Sequence, residues 1–301
     1  MESLETLQKQ FDIPGSVRIE AGRGGLPRIS VTADKASAEI YLHGAHVTRF
    51  QPRGGDPVLF MSESSFFKSD KPIRGGIPLI FPWFGPRVGD PQAPMHGFVR
   101  LRAWSIESID RRHDGSVRVV LVLGSDAETL ALWPHAFSLR LTVVVADSLD
   151  VALEVKNLSP QPITFEDAMH TYLEVGDIRR ASLEGLEGVE YFDKADGMKQ
   201  KKQPSEPVRI MGETDRVYLD TKATCTLHDP VKNRAIVVEK EGSDATVVWN
   251  PWIEKARAMA DFGDDEWVRM ICVETVNAMQ HAVTLPAGHT HRMFARIAVT
   301  N

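Results

Sequence analysis

Glu274 ends an apolar run, Met270, Ile271, Cys272 and Val273, and no lysine or arginine stands beside it. An unpaired carboxylate is costly to bury, so its charge must be solvated, partnered or used. It is either a strand-end glutamate emerging into water or a general base. His170 poses the same choice. It sits in FEDAMHTYLEV among Phe165, Ala168, Met169, Tyr172 and Leu173, and on a strand it would share a face with Ala168 and Tyr172. It is either a half-buried histidine bonded to a neighbour or an acid–base group, since imidazole titrates near neutral pH after only a small shift.

Four other stretches offer groups that could bind. In KPIRGGIPLIFPWFG, Lys71 to Gly85, a cation and two glycines precede Pro78, Pro82, Trp83 and Phe84. Prolines remove backbone donors and fit poorly in a central strand. The stretch reads as an irregular edge of a β-protein, or as a wall that delivers Arg74 to an anion and its aromatics to a flat ligand. In that second reading Gly75 and Gly76 let the backbone turn closely beside the ligand. APMHGFVR supplies His96 and Arg100, and GETDRVYLD supplies Glu213, Asp215 and Asp220. VVWNPWIEKARAMADF places Trp249, Asn250 and Trp252 around Pro251. Aromatics beside an amide suit a sugar, which has apolar faces and a hydroxyl rim; an aromatic corner of the core would look the same. His43 with His46, and His289 with His291, are candidate metal ligands. An H-x-H on a strand turns both imidazoles to one face, but HTHRMFARIAV adds no carboxylate, and a turn with a strand start is the simpler reading.

These residues need a scaffold, and the chain reads as strands. VRIEA, RISVTA, AEIYLHGAHVTRF, SVRVVLVL, FSLRLTVVVA and LDVALEVKN alternate apolar and polar residues, as strands with one buried face do. TFEDAMHTYLEV, RAIVVEKE, ATVVWN, RMICVET and MFARIAVT continue the rhythm. DAETLALWP is the one interior segment that looks helical, and Asp193 to Pro207 reads as a polar surface loop. Leu4, Leu7 and Phe11 recur at helical spacing before Ile13-Pro14-Gly15. The expected architecture is all-β: residues 1–301 form one large antiparallel sandwich domain, with a short helix and connector over 1–15.

Composition narrows the partners. A net charge of −6 argues against a general nucleic-acid binder. Cys225 and Cys272 have neither metal spacing nor a disulfide framework. The N-terminus lacks a signal-peptide core and no run is long enough to span a membrane, so a cytoplasmic protein without membrane or nucleic-acid partners is expected.

Taken in order, KPIRGGIPLIFPWFG, MHGFVR, MHTYLEV, ETDRVY, VVWNPWIEKARAMADF and ICVET resemble the hexose-6-phosphate mutarotases, the glucose-6-phosphate 1-epimerases of the aldose 1-epimerase superfamily. The resemblance runs from about residue 38 to the C-terminus and implies a galactose-mutarotase-like supersandwich. It implies His170 as general acid and Glu274 as general base, on opposite sides of a space that fits one pyranose ring. It puts His96 on the ring oxygen or a hydroxyl, Asp215 on sugar hydroxyls, and Arg74 and Arg100 near the phosphate. Trp252 is carried as a sugar-binding candidate, and Lys68, Lys71, Arg87 and Arg102 are further cations. Where the family often has Pro-Gly after the glutamate, this chain has Thr275-Val276, so the following turn is expected to differ. The implied substrate is a hexose 6-phosphate, no cofactor or metal is needed, and a monomer is favoured. A non-catalytic sugar-phosphate-binding sandwich, a mutarotase for unphosphorylated aldoses and a metal-dependent β-barrel enzyme are the alternatives.

Overall fold

The computed structural model describes residues 2–300. Most of the strands lie in three antiparallel sheets. Val17–Ala21, Pro27–Thr32, Ala36–Tyr41 and His46–Pro52 form an N-terminal meander. AEIYLHGAHVTRF is therefore two strands, turned at Gly44 and Ala45, which both have positive φ. The helix expected near the N-terminus spans Leu4–Phe11; the Ser3 side chain caps it by accepting from the Thr6 N–H, and Leu7 is buried.

An eight-stranded sheet runs from Ser182–Glu184 through Cys225–Asp229, Arg234–Glu241, Thr290–Thr300, Ser148–Asn157, Phe137–Val145 and Val117–Gly124 to Ser105–Arg111. Its strands show the alternation that the sequence carries. In Phe137–Val145, Leu139, Leu141, Val143 and Val145 are buried while Arg140 is exposed.

The other eight-stranded sheet carries the chemistry. Its order is Lys199–Lys202, Glu190–Asp193, Thr214–Tyr218, Ala245–Asn250, Met270–Asn277, Asp167–Met169 and Leu79–Ile80, and Tyr172–Glu174 pairs with the Met270–Asn277 strand as well. Here the pattern differs: every residue of Ala245–Asn250 and of Met270–Asn277 is buried. Such strands are covered on both faces, one by the core and the other by the groups described below.

Three expectations change. The polar stretch from Asp193 is a hairpin arm, because Lys199–Lys202 pairs with Glu190–Asp193; its charges sit on the sheet edge, where lysines discourage further pairing. Trp252–Ala258 is a second interior helix. Glu274 does not end its strand, which continues through Thr275 and Val276 to Asn277. With 2% of its surface exposed, it does not emerge into water.

The proline-interrupted stretch is an edge. Leu79 and Ile80 pair with Met169 and Ala168, while Pro78 and Pro82 flank this two-residue strand, where missing donors are tolerated. Gly75 and Gly76 have φ of 109° and 62°. They serve packing between strands: a Cβ on Gly75 would meet the Phe60 carbonyl oxygen at 2.5 Å, and one on Gly76 the Val47 carbonyl oxygen at 2.2 Å.

Candidate active site

Residues paired on neighbouring strands share a face of the sheet. Asp215 pairs with Trp249, Trp249 with Cys272, and Cys272 with Tyr172. One step along, Val217 pairs with Val247 and Val247 with Glu274. The chain breaks its strand at His170 and Thr171, where the Thr171 N–H turns back to the Met169 carbonyl at 2.9 Å. Register is kept across the break, Met169 opposite Thr275 and Tyr172 opposite Cys272, which sets His170 opposite Glu274. His170 and Glu274, 104 positions apart in sequence, are thus neighbours by register. The His170 N–H donates to the Pro78 carbonyl at 3.0 Å, so the irregular edge fixes the histidine backbone.

The two side chains meet directly, with His170 Nε2 3.4 Å from Glu274 Oε1. This corrects the expectation of a ring-sized space between them: a sugar must lie over the pair, on its open side. His170 Nδ1 and Glu274 Oε2 are both buried without a hydrogen-bond partner. Side-chain exposure rises from 1% at Glu274 to 11% at His170, 13% at Asp215 and 34% at Lys194, from floor to rim.

Around the pair stand aromatic walls. The Tyr172 ring stacks on His170 at 4.8 Å and 12°, while Trp249 and His96 meet it edge-on at 6.0 and 5.9 Å. His96 sits at φ 63°. Its Nδ1 accepts from the Gly85 N–H at 3.0 Å, so a neutral His96 carries its proton on Nε2 and remains a donor there.

Two arginines approach from the loop side. Arg74 donates through Nε to Asp261 at 3.1 Å and through a terminal nitrogen to the Tyr172 hydroxyl at 3.0 Å. It is therefore a held cation, with Asp261 as its acid. Burial opposes its charge, but Tyr172 and Asp261 more than restore it. Arg100 is 8% exposed. It donates to the Met95 carbonyl at 2.8 Å, its Nε has no partner, and no carboxylate of the described residues forms an ion pair with it. Burial, then the charge of Arg74, pulls its pKa down to about 10, which still leaves it charged at neutral pH.

The same burial acts on the central pair. Glu274 is pushed well above the ordinary carboxylate value by burial, with Asp215 adding to it and Lys194 opposing. His170 is pushed well below the imidazole value by burial, then by His96, Arg74 and Arg100. Burial thus favours the neutral form of both groups, the reverse of the charged arrangement inferred from sequence. The proton count is the same in both.

Other expected residues fall elsewhere. Trp83 is core, with its indole N–H on the Pro94 carbonyl at 2.9 Å. Trp252 packs on Trp267 at 4.2 Å; the tryptophan beside His170 is Trp249. Arg102 is paired with Asp126 and Glu128, and Arg87 donates to the Leu132 carbonyl at 2.7 Å. Lys68 lies over the Phe66 ring and Lys71 is exposed. His43 and His46 point to the carbonyls of Lys71 and Gly75, and His291 lies 3.7 Å from Asp167, so neither histidine pair forms a cluster. Trp249 was among the aromatics that the sequence offered to a sugar, whereas Tyr172 as a wall and Lys194, which reaches Asp215 at 3.4 Å and lies over Phe84, were not expected. Period-two spacing from Glu274 to Cys272, with the strand order known, would have found the walls.

Residues 27–298 match the aldose 1-epimerase family. A protein of Cenchrus ciliaris, provisionally named glucose-6-phosphate 1-epimerase, is 37% identical over 89% of this chain and 82% of its own length. The crystal structure of a protein of Salmonella typhimurium, YeaD, provisionally described as a mutarotase, superposes with a TM-score of 0.89 at 29% identity. That match covers 97% of this chain and 96% of the other. The galactose 1-epimerase of Lactobacillus acidophilus NCFM shares the fold, with a TM-score of 0.72 at 14% identity over 95% of this chain and 98% of its own. The antiparallel sandwich read from the strand pattern is this same fold, and the chain belongs to the aldose 1-epimerase family.

Proposed function

We propose that the protein interconverts the α and β anomers of a hexose 6-phosphate, glucose 6-phosphate being the reference substrate, by opening and reclosing the sugar ring. The observation that carries this reading is the buried His170–Glu274 contact together with Arg100, a buried cation without an acidic partner whose charge reaches His170. An acid–base pair is what ring opening needs, and a surplus of buried positive charge favours an anionic substrate. The name of the Cenchrus ciliaris relative supports the same substrate.

Glu274 takes the proton of the C1 hydroxyl and His170 gives one to the ring oxygen, so that the C1–O5 bond breaks and an aldehyde forms. Rotation about C1–C2 presents the other carbonyl face, and the same groups in reverse close the ring. The pair needs one proton, held on His170 at the moment of opening. An anion between Arg74 and Arg100 would offset the two charges that disfavour a cationic His170, so the substrate itself would help place the proton. His96 Nε2 is assigned to the ring oxygen or a hydroxyl, and Asp215 to hydroxyls at the rim. Tyr172 and Trp249 supply the apolar wall first assigned to Trp252. No cofactor takes part in these steps.

Anomer-exchange NMR tests the proposal on glucose 6-phosphate, galactose 6-phosphate, mannose 6-phosphate and free glucose, each against spontaneous exchange. Acceleration on a phosphorylated sugar is expected. Acceleration on free glucose alone would move the substrate to unphosphorylated aldoses, and none on any sugar would leave a binding protein.

A further inference from the structure

We infer that the floor of this cleft is also a capture site for a thiophilic divalent cation, with zinc as the reference ion, held by His170, Cys272 and Glu274 and blocking the sugar. Cys272 precedes Glu274 by two residues on one strand, so its thiol lies on the same face. One nitrogen of His170, Sγ of Cys272 and one carboxylate oxygen of Glu274 all lie within 4.8 Å of one another. Imidazole, thiolate and carboxylate are the donors that zinc takes.

The spacing can be compared with what the ion requires. Ligand bonds of about 2.0–2.2 Å to nitrogen and oxygen, at tetrahedral angles, separate those two atoms by about 3.4 Å. His170 Nε2 and Glu274 Oε1 already stand 3.4 Å apart. A zinc–sulfur bond of about 2.3 Å sets the sulfur edges near about 3.6 Å. Cys272 Sγ therefore has to close by about 1.2 Å at most, within reach of small side-chain rotations. His170 Nδ1 and Glu274 Oε2, the atoms that do not face the ion, are buried and lack partners, so no second hydrogen bond holds either side chain against a small rotation onto it. Binding would displace the Cys272 thiol proton to solvent and leave the fourth position on the sugar side.

The ion would therefore be an inhibitor, because it occupies the two groups that ring opening uses. That consequence rests on the proposed function; the capture site does not. Zinc is titrated by calorimetry into metal-stripped protein and into Cys272→Ser, Cys272→Ala and Cys225→Ser. Cys225, buried on a strand of the other large sheet, serves as the control. One ion per chain is expected for the parent and the Cys225 variant. Either Cys272 substitution should weaken binding more than about 100-fold, since even a hydrogen-bond partner of a ligand is worth about 10–100-fold. Cobalt in place of zinc should give a thiolate-to-metal absorption band in the parent that both Cys272 variants lack. In anomer exchange, zinc should compete with the sugar and be relieved by a chelator, while Cys272→Ser stays active and resists zinc. Equal zinc affinity with and without Cys272, no binding, or a cobalt spectrum without the thiolate band overturns the capture site. A parent that binds zinc through Cys272 but accelerates no sugar keeps the site and overturns the mutarotase reading.

Discussion

At the scale of single residues, Glu274→Gln separates shape from chemistry. Glutamine keeps the volume and removes the base, so exchange should drop by at least about 10²-fold; near-normal exchange would assign the base elsewhere. The pH profile tests the pair as a unit. Burial lowers the affinity of His170 for a second proton and raises the hold on the proton drawn to Glu274. The one-proton form is therefore bounded on the acid side by His170, titrating below the ordinary imidazole value, and on the alkaline side by Glu274, titrating above the ordinary carboxylate value. In kcat/KM the alkaline limb is the diagnostic one, because the substrate phosphate itself ionises near about pH 6. Glu274→Gln should move that limb to lower pH, because His170 alone must then hold the proton. For the cations, Arg74→Ala and Arg100→Ala should each cost about 1.5–3 kcal/mol on glucose 6-phosphate, roughly tenfold to a hundredfold. Exchange on free glucose should change little. Equal losses on both sugars would make Arg74 a brace for Asp261 and Tyr172, the role its hydrogen bonds already fill.

At the scale of elements, the irregular edge strand is as important as the residues it carries. The Gly76 N–H donates to the Phe60 carbonyl at 2.7 Å, and the Gly76 carbonyl accepts from the Tyr172 N–H at 2.9 Å. One residue thus ties the Arg74 loop to the strand below His170. Gly76→Ala would add a carbon 2.2 Å from the Val47 carbonyl oxygen at a φ of 62°. A cost of at least about 2 kcal/mol is expected, read as a lower midpoint in urea, with exchange falling as Arg74 and His170 shift. The motif order in the sequence pointed to this stretch, and its prolines marked it as an edge. Why the glycines are needed became visible only when Phe60 and Val47 were seen against them.

At the scale of the whole molecule, one apolar cluster runs from Leu7 to Ile297, and on that ground residues 1–301 are proposed to act as one domain. Thr290–Thr300 lies inside a sheet, paired with Arg234–Glu241 on one side and Ser148–Asn157 on the other. A chain stopped at residue 289 should expose two strand edges and the partners of Met293, Ala295 and Ile297. It should fail to give a cooperative thermal transition, and a native-like melt would show the C-terminal strand to be dispensable. No helix of the described residues is long and apolar enough to cross a membrane. The sequence by itself determined the strand class, because period-two alternation is a local property that each segment carries alone. It also singled out Glu274, because a lone carboxylate in an apolar run is conspicuous without any partner. Only the tertiary structure decided that Glu274 touches His170, that Trp249 rather than Trp252 stands beside it, and that Cys272 shares its face. Those facts depend on strand order and register between segments far apart in the chain, and the tilt of the pair toward its neutral form depends on burial, which no local pattern encodes.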